Sequence, residues 1–146
     1  MKKLFLSAFV ALFTFAASAQ FMVVTTYDGD QEENMDKITA NMGIGYMMGD
    51  ITAGLMKGEV DAAGDDTYDL FARYSLASLM SGMDGAYAAL QMPMEDGSDN
   101  MQIGVGFALN VWNGLYVEPN YMMYVDEDAA GGGDRGTFNF GLSYRF

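Results

Sequence analysis

The sequence predicts an all-β chain: an eight-stranded antiparallel up-and-down transmembrane β-barrel. Three observations carry the expectation. The last eleven residues alternate without a break, with Phe138, Phe140, Leu142, Tyr144 and Phe146 on one side and Thr137, Asn139, Gly141, Ser143 and Arg145 on the other. A strand has a side-chain period of two, so this is one strand with an apolar and a polar face. Eight segments of about 8 to 12 residues follow this kind of pattern, the length a tilted strand needs to cross a bilayer. The acidic residues collect in alternate connections, as they would if the two ends of a meander faced different surroundings.

The first 19 residues stand apart. Met1-Lys2-Lys3 is a short basic region, residues 4–16 are an apolar run, and Ala17-Ser18-Ala19 is a small-residue cleavage motif. This is the pattern of a secretory signal peptide. An apolar run of 13 residues is too short for a spanning helix, which needs about 20. The expected division is therefore signal peptide 1–19 and barrel 20–146. There is no cysteine and no histidine among the 146 residues. Without Lys2 and Lys3, five bases face 20 acids, a net charge of −15, which excludes the phosphate neutralisation on which nucleic-acid binding rests. A chain that is 51% apolar with 18 glycines, and without a long apolar run after residue 19, suits a barrel rather than helices or disorder.

In chain order, residues 20–27 form the first expected strand. Phe21, Val23, Thr25 and Tyr27 share a face, but Met22 and Val24 are also apolar, so the facing stays open. Residues 28–36 are an acidic loop. Residues 37–48 are the second strand, with Ile38, Ala40, Met42, Ile44, Tyr46 and Met48 aligned. Gly49-Asp50 is a hairpin turn. Residues 51–60 are the third strand and 61–66 a second acidic loop. The fourth strand spans 67–76, with Asp69, Phe71, Arg73 and Ser75 opposite Tyr68, Leu70, Ala72, Tyr74 and Leu76. Residues 77–84 connect, with room for one helical turn. Strands at 85–94 and 101–110 flank a third acidic loop at 95–100. Asn113-Gly114 turns the chain into the seventh strand, 115–125, and residues 126–135 are the fourth acidic loop before the strand at 136–146.

Counting Glu59 with the second, the four long connections hold five, four, three and four acids, sixteen of the chain's 20, whereas the other three hold only Asp50 and Asp84. Pro119 is the objection. It lies inside the seventh strand, cannot donate to a ladder, and a closed barrel offers it no edge. A bulge or a late start to regular pairing is the expected remedy. Pro93 falls at a strand end.

The terminal Phe146, preceded at every second position by an aromatic or apolar residue, resembles the C-terminal signature of bacterial outer-membrane barrels. The stretch 114–121, followed by Phe140-Gly141-Leu142-Ser143-Tyr144-Arg145-Phe146, resembles the final hairpin of the small outer-membrane barrels, the outer membrane protein A and X types. The resemblance implies the outer membrane of a Gram-negative bacterium, a lipid environment, and recognition of Phe138, Phe140, Leu142, Tyr144 and Phe146 by the barrel-assembly machinery. It implies no single activity, because the group holds anchors, adhesion factors, narrow pores and a few enzymes. No appended peptidoglycan-binding domain is expected, and with it no wall-anchoring role of that type.

The inward face offers Asp69, Arg73, Glu118 and Arg145, with tyrosines and amides around them. Charges enclosed in a barrel need partners, so these four are expected to form a lumen salt-bridge network. Side chains just fill an eight-stranded barrel. The function expected is a structural or surface-interaction role with a side-chain-filled polar lumen. The alternatives are a narrow pore for small solutes and a secreted soluble barrel binding a small apolar ligand. Phe71, Met56 and Met122 would make a partly apolar cavity. Asp28, Asp30 and Glu32 begin like a calcium loop but lack its later glycine and glutamate, so no metal site is expected. Barrel hydrolases and acyltransferases use a histidine base; none is present, so the chain is not expected to be an enzyme. A cofactor-free monomer is expected.

Overall fold

The β-branched and aromatic residues that alternate along the chain pair into strands in the computed structural model, which describes residues 20–95, 97–130 and 133–146. The expected signal peptide lies outside them. The strands are β1 (Phe21–Thr26), β2 (Gly43–Met48), β3 (Ile51–Val60), β4 (Asp66–Ser75), β5 (Ala86–Pro93), β6 (Gln102–Phe107), β7 (Leu109–Trp112), β8 (Leu115–Tyr124) and β9 (Gly136–Arg145). All pair antiparallel with their neighbours, and β9 returns to β1 from Met22↔Arg145 to Thr26↔Gly141. Segments β6 and β7 both pair with β8 and are two halves of one strand, so the sheet is a closed eight-stranded barrel.

Pro119 explains the gap between those halves. Gly106 faces Asn120 and Leu109 faces Val117, so three residues advance on each strand and none is inserted. The ladder lapses where the proline has no N–H to donate. On its other side Pro119 faces Phe140 in an unbroken register from Leu115↔Tyr144 to Met123↔Gly136. The remedy is thus neither a bulge at Pro119 nor a late start. A register shift does occur between Asn110 and Trp112, beside the turn. At that turn Asn113 and Gly114 both take positive φ, 27° and 89°, as a two-residue hairpin turn of type I′ requires.

The second strand is shorter than its alternation suggested. Residues 37–42 do not extend it: Asp36–Thr39 is a one-turn helix, α1, and β2 starts at Gly43. β1 pairs with β2 only from Phe21↔Tyr46 to Val24↔Gly43, so the backbone ladder with β1 does not reach residues before Gly43. Their polar groups are satisfied within the helical turn and by residues 25 and 28 instead. Ala40 donates to the Asp36 carbonyl at 2.9 Å, Asp28 N–H donates to the Lys37 carbonyl at 2.9 Å, and the Thr25 hydroxyl donates to the Ile38 carbonyl. In the 77–84 connector, one helical turn closes where Met80 donates to Leu76 at 2.9 Å.

The open question in β1 resolves with Met22 and Val24 inside, each 1% exposed, and Phe21, Val23 and Thr25 outside. Met22 and Val24 join Met56 and Phe71 in one buried cluster, with Met47 against it. The Phe71 ring needs Gly45 and Gly54 beneath it: a Cβ there would come within 2.9 and 2.8 Å of the ring. Outside, Tyr46, Ile51, Leu55, Leu70, Val105 and Phe140 are among the large apolar side chains left exposed.

Candidate functional site: the barrel lumen

Alternation decides which side chains enter the lumen, and register decides which of them meet. The short connections at Gly49-Asp50, 76–85 and Asn113-Gly114 mark the turn end; the four acidic loops mark the loop end. In the turn half, Glu118 is fully buried. Its Oε1 accepts from the Ser143 hydroxyl at 2.6 Å and from Arg145 Nη2 at 3.4 Å. Its Oε2 accepts from Arg73 Nη1 and, at 3.5 Å, from the Tyr87 hydroxyl. Arg145 lies over the Tyr116 ring at 3.9 Å and Arg73 over Tyr87 at 4.8 Å, so both guanidinium planes are also held by ring faces. One carboxylate serves two cations. Arg145 Nε is buried with no hydrogen-bond partner among the described residues.

Three of the four charges expected to cluster therefore do so. Asp69 does not. It is inward and 8% exposed, but its Oδ2 accepts from Gln91 Nε2 at 2.6 Å. Arg73 is four residues along the same strand, about 13 Å at the usual strand rise, with Phe71 between them. The lumen thus holds its ion-paired carboxylate at one level and Asp69, hydrogen-bonded to a neutral amide, at another.

The filling is uneven as well. The turn half is packed by the Glu118 network and the Met22–Val24–Met56–Phe71 cluster. The loop half contains a cavity of about 570 Å³ that reaches from Glu59, Asp61 and Glu95 at the rim to Arg73 and Tyr87 at the floor. Side chains thus fill the turn half, in part with apolar groups, and leave the loop half open. Phe71, Met56 and Met122 do line the cavity. Gly106 leaves room for the Tyr87 ring, which turns toward Glu118.

Ser143 was absent from the sequence-based set, although it shares a face with Arg145. Nothing in an alternating pattern says which neighbour a buried carboxylate will choose. The terminal aromatics Phe138, Phe140 and Tyr144 and the last residue, Phe146, are exposed on the outer face, with Leu142 half-buried among them. Phe138 and Phe140 stack edge-on at 5.1 Å, as do Tyr144 and Phe146 at 4.9 Å.

At the loop end, Asp28 closes its own turn. Its Oδ1 accepts from Asp30 N–H at 3.0 Å and its Oδ2 from Gln31 Nε2 at 2.9 Å. The Gln31 amide, then the Asp30 N–H, hold the Asp28 carboxyl below its ordinary pKa. Among the described residues, no group of three or more His, Cys, Asp or Glu is arranged to hold a metal ion. No family model, curated protein or solved structure matches the chain.

Proposed function

We propose that the chain is an integral outer-membrane barrel of a Gram-negative bacterium, of the small outer membrane protein A and X type, with a structural or surface-interaction role. The observation that carries this reading is the outer face. From Lys57 and Asp66 near the loop end down to the turns, no outward strand position is charged, and the positions between hold Leu55, Leu70, Leu90, Ile103, Val105 and Leu142. A ten-residue strand tilted by about 40° rises about 25 Å, the height of the apolar band on membrane barrels. Aromatic side chains gather at both margins of the band: Tyr27, Tyr68, Tyr121 and Phe138 toward the loops, Phe21, Tyr46, Tyr144 and Phe146 toward the turns. Such girdles suit the two interfaces of a bilayer. In this reading the acidic loops lie outside the cell and the turns in the periplasm.

Most of the large apolar residues face outward and the amides inward, the reverse of what a soluble barrel with an apolar ligand needs. The buried Glu118 network favours a closed plug over a conduit. Fractionation with a heat-modifiability gel tests the reading. The expected result is a membrane-associated protein whose folded and boiled forms migrate differently; a periplasmic protein with one band would overturn it. Replacing Phe146→Asp is expected to lower outer-membrane levels several-fold, because β9 is the strand the assembly machinery would receive. Conductance in planar bilayers, expected to be absent, separates plug from pore.

A further inference from the structure

The loop-half cavity is a cup with one buried anion and no cation of its own to satisfy it. Two cationic residues contribute to its lining, and both side chains are engaged elsewhere, that of Lys57 on the outer face. Lys57 Nζ is 2.9 Å from Asp66 Oδ1, and Arg73 is bound to Glu118. Among the described residues, Asp69 is left with a single hydrogen bond from a neutral amide. A carboxylate withdrawn from water without a cation is costly, and the cost is relieved when a cation arrives from outside. Glu59, Asp61 and Glu95 at the rim add to the negative field that draws cations inward.

The rest of the lining selects the kind of cation. Inward amides stand side by side across adjacent strands: Gln91 faces Gln102, and Asn120 faces Asn139. Asn139 reaches Asn120 only at 3.5 Å, so these amides are weakly engaged with each other. An amide both donates and accepts, as a hydroxyl does, so such a wall suits a ligand with several hydroxyls. Thr137 adds another hydroxyl beside Met122, on the far wall. A volume of about 570 Å³ is within the range of small-molecule sites. We propose that the cup binds a small polyhydroxylated primary amine, the chemistry of an amino sugar, with Asp69 accepting from the ammonium and the amide wall meeting the hydroxyls.

The binding rests on the cup alone; that the ligand arrives from outside the cell rests on the membrane reading above. The test is calorimetric titration of the folded full chain at low salt with glucosamine, glucose, glucuronate and methylamine. Glucosamine is expected to bind, at least about tenfold tighter than glucose or methylamine, as one charge-assisted hydrogen bond or several neutral ones would give. Glucuronate is expected to be rejected. Asp69→Asn is expected to weaken glucosamine about tenfold or more, while Glu32→Gln, which removes the same charge from a loop outside the cup, leaves it within about twofold. No heat with glucosamine, equal binding of glucose, or equal weakening by both variants would overturn the proposal. The titration uses whichever folded form fractionation delivers. A soluble periplasmic protein would thus defeat the membrane reading and still put the cup to its own test.

Discussion

The two halves of the lumen solve the same problem in opposite ways. In the turn half, a carboxylate is sealed at zero exposure and surrounded by Arg73, Arg145, Ser143 and Tyr87. In the loop half, a carboxylate is nearly as buried yet has one amide for company and an open cavity before it. Desolvation penalises both. The first is compensated within the chain, which makes it a structural device. The second is compensated in part by Gln91 and for the rest by whatever enters the cavity. Where a barrel puts its unsatisfied charge indicates where it can still bind something.

Variants can break this contrast, starting with the largest effect. Glu118→Ala strands two guanidinium groups in the interior and is expected to cost about 3–5 kcal/mol in urea unfolding of the folded barrel. Phe71→Ala removes the ring that separates the two levels; about 3 kcal/mol of stability is expected to go with it. In that variant the cup should also deepen toward Gly45 and Gly54. A Cβ at Gly106 would strike the Tyr87 ring, so Gly106→Ala is expected to cost about 1–3 kcal/mol and to displace the tyrosine from Glu118, visible as a change in its near-ultraviolet dichroism. Asp69→Asn removes a charge that has no cation, and the amide can still accept from Gln91. Its unfolding free energy is expected to stay within about 0.5 kcal/mol of the parent or to rise, in contrast to any neutralisation of Glu118. A large loss at Asp69 would mean that the two halves are not different in kind.

The smallest effect lies at the rim. The Asp28 pKa is lower in the folded chain than its ordinary 3.8. Its turn is therefore favoured above that pH and loses this contribution as pH falls through the lower folded value. The Asp30 amide resonance should move in that acid window, and Asp28→Asn should abolish the movement.

Most of the barrel was legible because alternation and turn chemistry are local. Residues 51–60 match β3, the Asn113-Gly114 turn takes the positive φ its residues imply, and β9 runs through the last alternating segment. Residues 37–42 misled because six alternating residues read equally as a strand or as one helical turn with its flank. Only the six-residue length of β1, a tertiary fact, decides between them. The facing of β1 was undecidable because Phe21, Met22, Val23 and Val24 are all apolar. In the lumen, sequence gave the inward set but not the partition. Arg73 and Glu118 meet across 45 residues of chain, while Asp69 and Arg73, four apart, do not meet at all.

The pairing of β1 with β9 also sets a clock. Every other pairing joins strands that follow one another along the chain, so those hairpins can zip locally and early. Closure joins Met22 to Arg145 and requires the longest loop in the molecule to have collapsed first. Until that step, the sheet has two open edges, one carrying Phe21 and Val23 and the other Phe140 and Tyr144, both competent to pair with a second chain. The slow and hazardous moment in making this barrel is therefore its last. A probe on Phe21 or Phe146 should report a later folding phase than a probe anywhere between β2 and β5.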